Sequence, residues 1–303
     1  MTTPARNQVD LHCHTRRSDG IMEPRDLYAE AREYGMRLVA ITDHDTLDGY
    51  RELRSAGLGA AAGPDGPELI PGVEINTLAA SARAPWGDEL HVLGLGVDPD
   101  DDRFEALLAR QRASRRERIE RMVGLLRALG VPVDGYLEQT LPARVSSAGR
   151  PHLARALVLA GHATSMDDAM TRWLAPGAPG WVPRRGMGTV EAISAIRGVG
   201  GLAALAHFPV APQRGDLLRE LKDAGLGGLE VYYRTFRPET VATMAETAAA
   251  LALVPTGGSD YHGDAMTYAE AQDLTRVPLE VGERVLGVLR GRPTAGARTL
   301  SAS

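Results

Sequence analysis

Cysteine is almost absent from this 303-residue chain: Cys13 stands alone, so no intramolecular disulfide can form and a reducing compartment suits it. Lysine is as scarce, with Lys222 the sole example, so the basic complement is nearly all arginine. Basic residues do not prevail either; 34 Lys and Arg against 39 Asp and Glu leave a formal charge of −5. That balance excludes a broad electrostatic nucleic-acid interface but not a local basic groove. No apolar run approaches the ~18 residues of a membrane helix, and the opening MTTPARNQ carries no hydrophobic signal segment. A soluble, cytoplasmic protein with no membrane partner is the expectation. What is present is near the globular average, 44% apolar and 24% charged residues, enough to bury a core in one large domain or a core with an insert.

Strand-like runs ending in polar residues recur along the chain, several followed by helical patterns. They fall at 9–11, 38–42, 69–75, 91–97, 202–206, 229–232 and 251–256. Such alternation predicts βα units, an α/β fold with a mainly parallel sheet or barrel. Pro24 fits the first turn of a helix. Between about 98 and 188 the pattern turns helical, at 104–129, from about Arg150, and at 166–174, before a Pro/Gly-rich loop at 175–188. The boundaries drawn are a barrel core over 8–99 and 189–275, a helical insertion or cap over 100–188, and a C-terminal helix and tail over 276–303.

Histidine placement is the most informative feature. His12 and His14 lie two apart on a strand, so both face one side while Cys13 faces the other. Asp19 follows in the next loop, His44 ends the second strand, and Glu74 interrupts the apolar run LIPGVEIN. His91 opens the fourth strand, His207 closes the fifth, and Asp260 and His262 form a second i, i+2 pair. Most of these positions sit at or just after strand C-termini, where barrel active sites collect. A single histidine there is more often structural, but two such pairs with His and Glu on intervening strands point to metal. Unpaired, these groups are costly to bury, and divalent ions compensate them. Mixed N/O ligation suits Mn²⁺, Fe²⁺ or Zn²⁺. A centre with more metal charge than carboxylate charge is one that a phosphomonoester dianion neutralises and a neutral amide does not.

DLHCHTRRSDG, AITDHDT, PGVEIN, HVLGLG, GRPH, AHF, GLEVYY and GGSDYHG resemble, in order and spacing, the successive motifs of the PHP (polymerase and histidinol phosphatase) phosphoesterases over residues 9–263. The resemblance is nearest to stand-alone bacterial enzymes that dephosphorylate nucleoside 3′,5′-bisphosphates or trim short oligonucleotides from the 5′ end. It implies a distorted (β/α)7 barrel and a trinuclear centre, commonly of manganese. One ion would be held by His12, His14, Glu74 and Asp260, a second by Glu74, His91 and His207, and a third by Asp19, His44 and His262. The expected chemistry is in-line attack on phosphorus by a metal-activated hydroxide.

GRPH opens a helix in the insert, and the resemblance turns it toward the metals, which assigns Arg150 and His152 to substrate phosphate. Pro151 as a mere first-turn residue and a solvated Arg150 is the plainer alternative. Asp43 and Asp45 flank His44; Asp43 is expected to orient it, and Asp45 to cap the following helix. The arginines of RQRASRRERIERMVGLLR read mostly as a solvated face, with a basic wall for a second phosphate as the rival. Tyr232 and Tyr233 could stack a base or fill the rim. Three other functions compete: a histidinol-phosphate-type phosphatase, an amidohydrolase-like C–N hydrolase, and an inactive metal-binding module. The amidohydrolase reading lacks a bridging lysine, because Lys222 lies in the charged stretch LLRELKDAG. The expected partner is a small phosphorylated nucleotide or short oligonucleotide.

Overall fold

A computed structural model of the chain describes residues 7–63, 66–79 and 89–291. Seven short strands carry the architecture: β1 (Val9–Cys13), β2 (Leu38–Ile41), β3 (Glu68–Leu78), β4 (Glu89–Leu95), β5 (Leu202–Leu205), β6 (Gly228–Tyr233) and β7 (Val254–Gly258). β1, β2 and β5 are buried throughout, which explains why they read as short apolar runs rather than alternating ones. The strands pair in chain order, β1 to β7. β1 and β7 then meet through a bridge between Cys13 and Tyr261, with the Asp260 N–H donating to the His12 carbonyl at 2.6 Å. The sheet is thus a nearly closed barrel. Gly258 makes that approach feasible, since a Cβ there would collide with the His12 backbone.

Pairing is parallel except at β4, which runs antiparallel to both β3 and β5. Ten residues separate β3 from β4, fewer than a parallel crossover needs. The reversal brings the N-terminal end of β4, where His91 lies, to the rim formed by the C-terminal ends of its neighbours.

Helices α1 (Pro24–Tyr34) and α2 (Asp48–Ser55) follow the first two strands. Pro24 occupies the first turn of α1, and Gly35 ends it in the left-handed region at φ 94°. After β4 come α3 (Asp102–Ala128), α4 (Asp134–Thr140), α5 (Arg150–Leu159) and α6 (Met166–Ala169), the last continuing into a π-helical turn at Met170–Leu174. This stretch buries its own apolar cluster, including Met122, Leu126, Leu153, Leu157 and Leu174. α7 (Thr189–Gly198), α8 (Gly215–Asp223), α9 (Pro238–Ala250), α10 (Tyr268–Leu274) and α11 (Leu279–Arg290) complete the outer layer. The tail expected after α11 falls at 292–303, outside the described residues. Among the described residues no helix is long and apolar enough to cross a membrane.

Candidate metal centre

All nine imidazole and carboxylate residues singled out by the sequence converge on one end of the barrel. Their donor atoms form three groups, each with its atoms within 4.8 Å of one another: His12, His14, Glu74 and Asp260; Glu74, His91 and His207; and Asp19, His44 and His262, joined by His14. Glu74 is the hub. Its Oε1 lies 2.8 Å from His91 Nδ1 and 3.0 Å from His207 Nε2, and its Oε2 lies 2.9 Å from His44 Nδ1 and 3.2 Å from His14 Nε2. A single carboxylate at mid-strand reaches five histidines, His12 being the fifth at 3.5 Å, because β2 and β4 flank β3 and because His12 on β1 and His14 just after it both point toward Glu74.

The local backbone is built to aim these groups. His207 and Asp260 hold positive φ values of 27° and 47°, unusual for residues with side chains. Arg234 Nη1 donates to the carbonyls of Ser259 (2.8 Å) and Asp260 (2.5 Å), and Tyr233 Oη donates to Asp260 Oδ2 at 2.8 Å. Beneath them Asp10, fully buried, accepts from the Ser259 N–H and hydroxyl and from Gln272.

The electrostatics fit a cation cluster. His12 Nε2, His14 Nε2, His44 Nδ1 and Asp19 Oδ1 are buried without a hydrogen-bond partner, although opposing donors and carboxylates lie close by. Orphaned groups of this kind are expensive unless a further partner sits among them. Burial pushes the Glu74, Asp19 and Asp260 carboxyls up, but the surrounding imidazoles hold all three well below the usual range. Burial presses His44 down to about 4, whereas for His14 the Asp260 and Glu74 carboxylates overcome burial and raise it to about 10. Charged oxygen and imidazole donors facing common points are the donor set of a hard to borderline divalent metal.

A cavity of about 420 Å³ opens over the centre. Its lining includes Asp19, His44, Glu74, His91, His207, Asp260 and His262 together with Arg115, Arg118, Arg150 and Arg184. Arg150 pairs with Glu89 at 3.7 Å, as Arg118 does at 3.3 Å. Arg118 Nη2 and Arg184 Nε are buried without partners. Arg115 is committed to structure: it donates to Asp45, to Asn76 Oδ1 and to the Ala148 carbonyl.

His152 goes elsewhere. It is buried at the start of α5, where its Nδ1 accepts from the Gly149 N–H at 3.0 Å, and it lines a second cavity instead. Asp43 makes no hydrogen bond to His44; it binds the Thr15 N–H and hydroxyl and the Ser18 hydroxyl, and so fixes the loop that delivers Asp19. Asp45 does not cap α2, whose N-cap is Leu47; it is the buried counter-ion of Arg115 and Arg184. Tyr233 lines the cavity and bonds to Asp260, while Tyr232 packs against the core.

Sequence reasoning missed Arg184 and Glu230, and it read Arg115 and Arg118 within a mostly solvated face, with a basic wall only as the rival. Arg115 and Arg118 belong to the buried stripe of α3, with Phe104, Leu108, Gln111, Ile119 and Met122. Polar residues at stripe positions were the available signal.

Residues 10–163 match the PHP domain. The chain is 32% identical over 265 residues to a 3′,5′-nucleoside bisphosphate phosphatase of Chromobacterium violaceum, covering 84% of this chain and 87% of that one. It is 32% identical over 265 residues to a 5′-3′ exoribonuclease of Haemophilus influenzae, covering 84% and 90%. A solved structure described as a metal-dependent phosphoesterase, from Bifidobacterium adolescentis, shares 31% identity with a TM-score of 0.78 over 94% of this chain and 98% of that one. The chain belongs to the PHP family of metal-dependent phosphoesterases. It is a hydrolase of phosphoric esters.

Proposed function

We propose that this protein hydrolyses phosphomonoesters of small nucleotides, either nucleoside 3′,5′-bisphosphates or short 5′-phosphorylated oligonucleotides. The observation that carries the reading is one cavity whose lining joins seven of the nine metal-type donor residues to four arginines, two of which have unpartnered buried guanidinium nitrogens. The names of the relatives from Chromobacterium and Haemophilus point to the same substrate class. The nine residues would hold three divalent ions, manganese foremost, with iron(II) or zinc as alternatives. When bound, such ions polarise phosphoryl oxygens and lower the pKa of a coordinated water.

The chain's own residues supply the rest. Arg150 and Arg118, both lining the cavity, bind a second phosphate or the nucleotide backbone, displacing Glu89 from their guanidinium groups. Arg184, burial having pushed it down to about 10, stays charged at neutral pH and adds to the field. Tyr233, bonded to Asp260, stands at the same rim and restricts how a leaving group enters. Residues 100–188 act as a cap on a barrel made by 8–99 and 189–275, and α11 of the C-terminal segment packs its Val281 and Val285 against the β1 side of that barrel. Lys222 lies in α8 and is not among the residues that line the cavity over the centre, which disfavours a lysine-bridged C–N hydrolase.

The test is a phosphate-release screen of the manganese-loaded protein. Nucleoside 3′,5′-bisphosphates and 5′-phosphorylated di- to pentanucleotides should outpace histidinol phosphate and simple monophosphates. Preference for histidinol phosphate, or ammonia release without phosphate release, would overturn the reading.

A further inference from the structure

Glu230 is the third residue of β6, between Leu229 and Val231, and all three are completely buried. A carboxylate on a buried strand is costly unless each oxygen is satisfied. Both are. Oε1 lies 2.9 Å from His12 Nδ1, and Oε2 accepts the backbone N–H of His207 at 2.6 Å. One side chain therefore touches a residue from each of two donor groups, at His12 on the β1 side of the barrel and His207 after β5.

The other nitrogen of His12 completes the picture. Nε2 lies 3.5 Å from Glu74 Oε2 and 3.4 Å from Asp260 Oδ1, and it has no hydrogen-bond partner. We infer that Glu230 is a positioning residue for the metal centre: it keeps a proton on His12 Nδ1, so that Nε2 presents its lone pair toward Glu74 and Asp260, and it pins the His207 backbone at φ 27°. A carboxylate behind a ligating imidazole fixes tautomer and ring orientation and raises basicity. Here the same carboxylate also holds a strained peptide, so two donor groups are aligned by one charge. The inference rests on the metal-dependent reading proposed above.

Glu230→Gln separates this role from simple packing. The amide is nearly isosteric but offers one acceptor and one donor group where the carboxylate offers two acceptors. If its oxygen stays on the His207 N–H, its NH₂ faces His12 Nδ1, which must then accept, and the proton moves to Nε2. If it turns the other way, NH₂ meets N–H at His207. Either orientation weakens metal binding, by about 10–100-fold.

The experiment measures metal retained after gel filtration, by elemental analysis, and the Mn²⁺ concentration giving half-maximal phosphate release, for wild type and variant. The variant should retain less metal, need about 10–100-fold more Mn²⁺, and regain most of its kcat at saturating Mn²⁺. A purely structural role would lower thermal stability without this rescue. A folded variant with unchanged retention and unchanged Mn²⁺ dependence overturns the inference. The wild type gives a second check should the variant not fold. In ¹⁵N-histidine-labelled, zinc-loaded protein, His12 should be protonated at Nδ1, with slow solvent exchange. Protonation at Nε2 contradicts it. A wild type that binds no divalent ion defeats the functional reading and this inference together; a metal-binding wild type matched by its variant defeats the inference alone.

Discussion

Replacing Asp45 with asparagine is a sharp test of how α3 is fastened to the barrel. Asp45 is wholly buried, accepts from Arg115 Nε, and lies 3.4 Å from Arg184 Nη2. Its φ of 51° lies in the left-handed region, which asparagine tolerates, so Asp45→Asn removes charge with little change of backbone. Two buried guanidinium groups then lose their shared counter-ion. Breaking a buried pair from one side costs about 3–5 kcal/mol, and an amide oxygen that still accepts places the cost near 3 kcal/mol. Urea unfolding followed by circular dichroism should show that loss. Removing the stranded charge as well, in Asp45→Asn with Arg184→Met, should recover more than about 1 kcal/mol of it relative to additivity. A single-variant loss below about 1 kcal/mol, with additive behaviour, would refute a stabilising charge cluster between α3 and the barrel.

Three further outcomes follow from the same structure. Arg150→Met should raise KM for a nucleoside bisphosphate about tenfold or more while metal content stays constant, because only an anion contact is lost. His152, which burial presses from 6.5 down to about 4, makes stability pH-dependent: the unfolded chain takes up a proton below 6.5 that the folded chain refuses until about 4. Its contribution is therefore complete above 6.5 and declines by up to about 3 kcal/mol as pH falls to 4; the stability difference between wild type and His152→Gln should vary across that window. Gly258→Ala forces a methyl against the His12 backbone and should cost about 1–3 kcal/mol in stability while lowering retained metal.

The donor set was legible because its members are chemically conspicuous. A glutamate within LIPGVEIN or a histidine between apolar strand residues has no cheap burial without a partner. Strand positions were legible for the related reason that fully buried strands read as short apolar runs. The antiparallel course of β4 was written only in a short connection, which the strand–helix rhythm on either side obscured. Roles that depend on what lies across the barrel were less visible. Asp45 looks like a helix cap from its neighbours, yet α3, about 70 residues later, claims it. Arg115 and Arg118 look solvated in an arginine-rich helix until the barrel packs against that face. Glu230 sits in GLEVYY as plainly as Glu74 in PGVEIN, but its partners are 218 and 23 residues away and invisible to spacing.

The most direct measurement is phosphate release from a nucleoside 3′,5′-bisphosphate by the full chain before chelation, after exhaustive chelation, and after Mn²⁺ is restored. Activity that vanishes with the metal and returns with it, alongside bound metal detected by elemental analysis, is the predicted result. Undiminished turnover by metal-free protein, or a chain that takes up no divalent ion under any loading, would contradict it.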